Sequence, residues 1–476
     1  MRDRPSDHRI QVELSVEPQA VAERPDVEAP FCIALFGDFS ARGHRGPVDL
    51  SRAMASDVPV LVDRDNLDDV LGRLRPEVRL PLKGERDADV RVQFSTLEDF
   101  HPDRLYERLP VFEGVRELRR RLAEPAPHAP AVRELPTNEP PTPVGGNLLD
   151  QIVHESATPR APTPLSPLEG GDLQAYLNRI VAPHVVPPAE PRREAILAEL
   201  DAAAAAGLRA VLHHPDFQAL EALWRGVRLL TQRVESDADV QLYLFDITRA
   251  ELAADQRESA DARSSRLCRL LAEPPGAAPQ SRWGVLAGLY SFGPDVPDLE
   301  LLGRLASVAS LVGAPWISAA DSRLVGADSI HANTDPTDWI AEPRQEWQAI
   351  RRRPEARWLG LAMPRFLLRL PFEGLLDGSA HEDYLWGNPT FACLLLFAQA
   401  IAESGRPLHS GMKLEIGELP FAAGQPCIEA LLGERAAERI LDRGLMPLVG
   451  MRDTDRVRLL RFQSIAEPPT PLSLGM

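Results

Sequence analysis

Between Glu124 and Asn147 the chain reads EPAPHAPAVRELPTNEPPTPVGGN. Each proline there removes a backbone N–H and fixes φ, so neither a helix nor a sheet ladder runs through it. Such a stretch favours extended, solvated chain and acts as a semi-rigid spacer. Thr158–Gly171 has the same character. Proline makes up 45 of the 476 residues, about twice the usual share. The length suits two or three domains, each with its own core. The expected organisation is a mobile polar arm over 1–27, an ordered block over 28–123, a linker over 124–172 and a larger block over 173–476.

The early block opens on Phe31-Cys32-Ile33-Ala34-Leu35-Phe36, a continuous apolar run stopped by Gly37-Asp38. That pattern predicts a strand buried on both faces. A second strand is expected over Val58–Val62. Leu67, Val70, Leu71 and Leu74 share a helical face that Pro76 closes. Val90, Val92 and Phe94 alternate with polar residues, as in a half-buried strand. Pro102 suits a first helical turn, and Arg116–Leu122 reads as a basic amphipathic helix.

In the late block, Pro215 leads into Phe217, Leu220, Leu223, Trp224, Val227 and Leu230, a strong helical stripe. Strands are expected at Val240–Asp246, Gly284–Tyr290, Pro315–Ala319 and Arg357–Met363, with a helix over Leu299–Val312. Alternating strands and helices give an α/β (α+β) class. Within the linker, Leu148-Leu149-Asp150-Gln151-Ile152-Val153 is a short amphipathic island. It reads equally as a packing patch for the neighbouring block and as a docking motif for a partner groove.

Composition excludes several classes. A net charge of −17 argues against a nucleic-acid partner, which needs a sustained basic face. Arg351-Arg352-Arg353 reads as a solvated helix end. Cys32, Cys268, Cys393 and Cys427 are scattered, which indicates neither a disulfide framework nor a metal site; Cys32 and Cys393 read as small buried hydrophobes. The N-terminus lacks the apolar core of a signal peptide, and no apolar run reaches membrane-spanning length. The expected compartment is the cytoplasm, without membrane insertion.

No catalytic signature is found. Gly37–Gly43 lacks the lysine and the spacing of a phosphate loop. Gly288–Gly293 is one residue too long for a nucleophile elbow. His213-His214, just before a helix, reads as capping and packing. Glu382 and Asp383 form an acidic pair with no second acid placed opposite. Neither catalytic residues nor a cofactor or metal is expected.

Several phrases carry a resemblance. Asn66-Leu67-Asp68-Asp69-Val70 after Asp63-Arg64, then Arg75-Pro76-Glu77 and Leu97-Glu98-Asp99-Phe100-His101-Pro102-Asp103, are similar to the small subunit of the type VI secretion contractile sheath. Asp99 is the expected cap there, with Pro102 setting the turn and Phe100 stapling the entry. The segments Leu212–Gly226, Ala314-Pro315-Trp316, Leu361–Phe372 and Tyr384-Leu385-Trp386-Gly387-Asn388 resemble the large subunit, in that family's order. The island at Leu148–Ile152 resembles the same subunit's N-terminal motif. The likeness covers roughly 28–122 and 148–463, so the two blocks look like the two subunits fused end to end.

The resemblance implies a non-catalytic structural component assembling with sheath subunits or copies of itself around an inner tube protein, with baseplate components as further partners. Leu148, Leu149, Ile152, Arg365 and Arg369 are the candidate partner-interaction residues; buried arginines need carboxylate partners, supplied by a neighbour or by the chain itself. A sheath-end adaptor that keeps the fold without polymerising is the alternative, and an unrelated enzyme a more distant one. The helical regions through which a recycling AAA+ ATPase acts on the family are largely replaced by spacer, so that partner does not carry over. The large-subunit likeness stops near Gln463, short of that family's usual extent, which implies a truncated C-terminus and an incomplete sheet edge.

Overall fold

The computed structural model describes residues 30–44, 58–80, 90–123, 190–234, 240–272, 282–340, 343–405 and 412–472. The expected arm, the linker and its island therefore lie outside the described residues.

In chain order the strands are β1 Phe31–Gly37, β2 Val60–Val62, β3 Glu77–Leu80, β4 Val90–Gln93, β5 Val240–Asp246, β6 Arg282–Phe292, β7 Trp316–Ala320, β8 Leu359–Met363, β9 Phe366–Arg369, β10 Leu385–Gly387, β11 Glu415–Ile416, β12 Met446–Gly450 and β13 Val457–Leu459. The helices are α1 Leu67–Leu74, α2 Pro102–Arg108, α3 Glu113–Ala123, α4 Glu190–Leu212, α5 Pro215–Arg233, α6 Arg249–Glu258, α7 Arg266–Leu270, α8 Val296–Val312, α9 Gln345–Arg351, α10 Thr390–Ser404 and α11 Glu434–Asp442.

Among the described residues nine strands form one sheet, in the order β11-β13-β12-β8-β7-β6-β1-β5-β2. The six from β12 to β5 run parallel, and antiparallel strands close both sides. The α/β class read from the sequence is the one that forms. The expectation of a separate core for each block gives way to a shared one. Strand β1, from the early block, lies between β5 and β6 of the late block, with Ile33 opposite Leu242 on one side and Val285 on the other. An isolated β1 exposes two rows of unpaired amide groups; both rows are satisfied only by strands from beyond the spacer.

Alternation along the strands sends side chains into two cores. Ile33, Leu35, Leu242 and Leu244 face one, beneath α1–α5 and α10. Cys32, Ala34, Phe36, Tyr243 and Phe245 face the other, beneath α6, α8, α9 and α11. Apart from β1, the early block contributes to the first core alone.

Local chemistry sets most element ends. Pro102 and Pro215 sit in the first turns of α2 and α5, and each helix is capped by the preceding histidine rather than by a carboxylate: His101 accepts from Asp103 N and His214 from Asp216 N. Asp99, expected as a cap, instead completes a capping box with Thr96 one turn earlier, accepting from the backbone N–H of Thr96 at 3.1 Å. Gly313 ends α8 at φ 77°, a conformation that glycine adopts without Cβ strain. The Arg351–Arg353 run is not wholly solvated: Arg351 is buried and donates from Nε to Ile465 O at 2.8 Å, while Arg352 and Arg353 are exposed.

Candidate interaction site at the meeting of the signature segments

Helix α5 places Phe217, Leu220, Glu221, Trp224 and Val227 in the buried interior, as its stripe requires. Phe217 meets Phe94 and Phe100 of the early block with ring centroids 5.9 and 5.6 Å apart, while those two rings stack at 4.0 Å. Trp224 donates from Nε1 to Phe39 O at 3.0 Å, satisfying its one donor with an early-block carbonyl. The signature helix of the late block is therefore welded to the early block by an aromatic cluster and a hydrogen bond.

The same helix holds the hairpin of β9 and β10. Glu221, fully buried, accepts from Arg369 Nε at 2.9 Å and from Arg225 Nε at 2.7 Å. Arg369 is itself buried, caps its own strand end through Leu370 O at 2.8 Å, and lies over the Phe372 ring at 4.2 Å. A buried carboxylate costs several kcal/mol in desolvation unless it is paired; two guanidiniums supply that pairing here. His213 Nε2 stands 2.9 Å from the Asp383 carboxylate, and Gln218 donates to Glu382 O at 2.6 Å. The Asp383 carboxylate and the Glu382 backbone carbonyl thus tie this segment to the start of α5.

Arg365 takes a different partner from Arg369. Its Nε and Nη2 reach Glu429 at 2.9 and 2.6 Å, and its side chain is 47% exposed. Burial works to raise the Glu429 carboxyl, but the nearby His381 and Arg365 override it and hold the group down at about 2. His381 in turn packs between His331 and Trp386, with centroids 4.0 and 5.3 Å away. Both arginines therefore pair within the chain. Leu148, Leu149 and Ile152 lie outside the described residues.

A second junction joins the blocks at the carboxyl ends of β1 and β5. Asp38 receives the backbone N–H groups of Arg42 and Gly43 at 2.8 and 2.9 Å, turning the loop back on itself. Arg42 then reaches Asp246 and donates from Nε to Glu251 at 2.8 Å. Glu251 also closes the capping box of α6, accepting from Thr248 N at 2.7 Å. Burial raises the Asp246 carboxyl and Arg42 opposes the shift. Sequence reading dismissed this loop as a failed phosphate cradle and missed its role. The signal was Arg42 itself, a cation five residues beyond the end of a buried strand, matched by the Asp246 that ends β5.

Among the described residues no group of three or more His, Cys, Asp or Glu side chains is placed to hold a metal ion. Among them, too, no helix is long and apolar enough to cross a membrane. Burial pushes the Cys32 thiol up to about 11 and the Cys393 thiol to about 12, leaving both as poor nucleophiles.

The late-block segments that converge here lie within a range matched by a known family. Residues 194–466, more than half of the chain, match the VipB (EvpB) family model, described as a tail sheath N-terminal domain. The chain belongs to the VipB tail sheath family. Residues 2–132 match a second model, that of type VI secretion system VipA, so one chain carries the small-subunit and large-subunit matches together. The type VI secretion system sheath protein TssC1 of Pseudomonas aeruginosa is 29% identical over 308 residues, which is 58% of this chain. The chain spans 61% of that relative's length.

Proposed function

We propose that this VipB-family chain is a structural, non-catalytic protomer of a type VI contractile sheath, with both sheath subunits built into one polypeptide. It assembles with copies of itself or with other sheath subunits around an inner tube, in the cytoplasm, with baseplate components at one end. One observation carries the reading: the polar residues of the signature segments, Glu221, Arg225, Arg369, His213 and Asp383, are engaged with one another in holding β9 and β10 to α5. Such pairing supports a structural role, since each charge is used to hold one element against another. Arg365, paired with Glu429 but half-exposed, keeps a face able to reach a neighbouring protomer, whereas Arg369 serves the fold.

Negative-stain electron microscopy of the purified chain, alone and coexpressed with an inner tube protein, tests the proposal. Tubes or rings are expected on co-assembly with sheath subunits around the inner tube, and no long tubes from the chain alone, as the incomplete sheet edge read from the sequence implies. Decoration confined to the ends of a conventional sheath would replace it with the adaptor reading. A stoichiometric bound metal, or ATP turnover abolished by a point mutation in this chain, would overturn the non-catalytic assignment.

A further inference from the structure

On the face of the molecule opposite α5, helices α6, α8 and α9 leave a groove of about 740 Å³. Its floor is apolar: Ala253, Leu299, Leu301 and Ile350, with Val296 53% exposed at one end. Arg257, Arg304 and Arg353 line it too, and among the described residues none of the three has a carboxylate within ion-pair distance. Arg257 and Arg304 donate only to the backbone carbonyls of Ala253 and Ser259, both at 3.2 Å. Glu300 and Glu346 also line the groove, so the balance is three cations against two anions in a chain of net charge −17.

A second feature of the same groove asks for a ligand. Gln256 lines it and is 1% exposed. Its Nε2 donates to Asp255 at 3.0 Å; a carboxylate accepts only, so this fixes the amide's orientation. The Oε1 atom is then a buried acceptor with no partner. An unsatisfied buried acceptor costs about 1–3 kcal/mol, and a groove occupant with an N–H to donate removes that cost.

We propose that the groove is the docking site, within the same chain, for the island Leu148-Leu149-Asp150-Gln151-Ile152-Val153-His154-Glu155. Docked as a helix, Leu148, Leu149, Ile152 and Val153 share one face at i, i+1, i+4 and i+5 and meet the apolar floor. Asp150 and Glu155 answer the unpaired guanidiniums. Residues 124–147 span at most about 80 Å when extended, enough to carry the island from α3, in one helix layer, around the sheet to the other. Tethering at both ends makes docking intramolecular and raises the island's effective concentration towards the millimolar range, about the concentration a short flexible linker gives. The inference goes beyond the sheath reading and does not depend on assembly.

The test uses full-length chain and a fluorescein-labelled peptide of residues 146–157. The double variant Leu149→Asp/Ile152→Asp vacates the groove and binds the peptide saturably, and the unaltered chain binds it at least about tenfold more weakly because its own island competes. Ala349→Arg and Arg257→Glu, each at an exposed groove position and each added separately to the double variant, weaken binding by at least about tenfold. Unchanged thermal melts establish that these variants fold. No saturable binding to the double variant, or binding indifferent to both groove substitutions, overturns the proposal. Equal binding to unaltered and vacated chains overturns docking in cis and makes a second copy or another protein the occupant.

Discussion

At the scale of single residues, the decisive arrangement is one carboxylate between two guanidiniums. Glu221 has no exposure, and Arg369 is 8% exposed, so neither charge can turn to water if its partner is lost. Arg225 is 23% exposed and can. Removing one member of a buried pair typically costs about 3–5 kcal/mol, because it strands the other charge. Glu221→Leu therefore lowers unfolding free energy by about that much, and adding Arg369→Met to it restores most of the loss. Urea denaturation of the two single variants and the double variant reads the coupling. Equal losses for Glu221→Leu with and without Arg369→Met would show that the pair is not what holds the hairpin. Arg365 follows the opposite logic, since its half-exposed side chain keeps water as an alternative partner.

At the scale of elements, α5 and α10 cross so closely that Gly226 has no room for a methyl group. A Cβ there would lie 2.1 Å from the Phe391 ring, which is itself buried. In an exposed helix, Gly→Ala is worth about 1 kcal/mol of added stability. Here overpacking reverses the sign, and Gly226→Ala is expected to cost about 1–3 kcal/mol. Phe391→Leu, added to it, recovers part of that cost by yielding space. A higher urea midpoint for Gly226→Ala alone would disprove the close crossing. The glycine of the Trp224-Arg225-Gly226 phrase thus has a packing reason that its helical context hides in the sequence.

For the whole molecule, the central position of β1 sets how the two blocks relate. The linker connects them, but the sheet holds them: β1 is paired along both edges by β5 and β6. Trp224 and Arg42 add contacts across the same junction. Limited proteolysis is expected to cut first between Glu124 and Asn147, whose proline-rich sequence offers few backbone donors. The two fragments should then remain together through size-exclusion chromatography and separate only in denaturant. A first cut inside Val211–Phe245, or fragments that separate in native buffer, would contradict this architecture.

The class and much of the element map are legible in the amino-acid sequence alone. The apolar run at Phe31–Phe36, the stripe from Phe217 to Leu230 and the run at Val240–Asp246 each became the element their period requires. Those signals are local: side chains repeat every two or about 3.6 residues, and the repeat is visible in one chain. Strands β11 and β13, of two and three residues, show no readable alternation, and β12 carries Pro447 and ends on Gly450, residues that read as breakers of a strand. Only the tertiary structure decided which strand lies beside which, and which carboxylate meets which arginine. Arg369 finds Glu221 across 148 residues, and Arg42 finds Glu251 across 209. Sheet order and ion pairing depend on partners distant in the chain, and pairing energy depends on burial, which no stretch of sequence specifies alone. That is why the spacer marks two blocks in the sequence while the fold makes them one sheet.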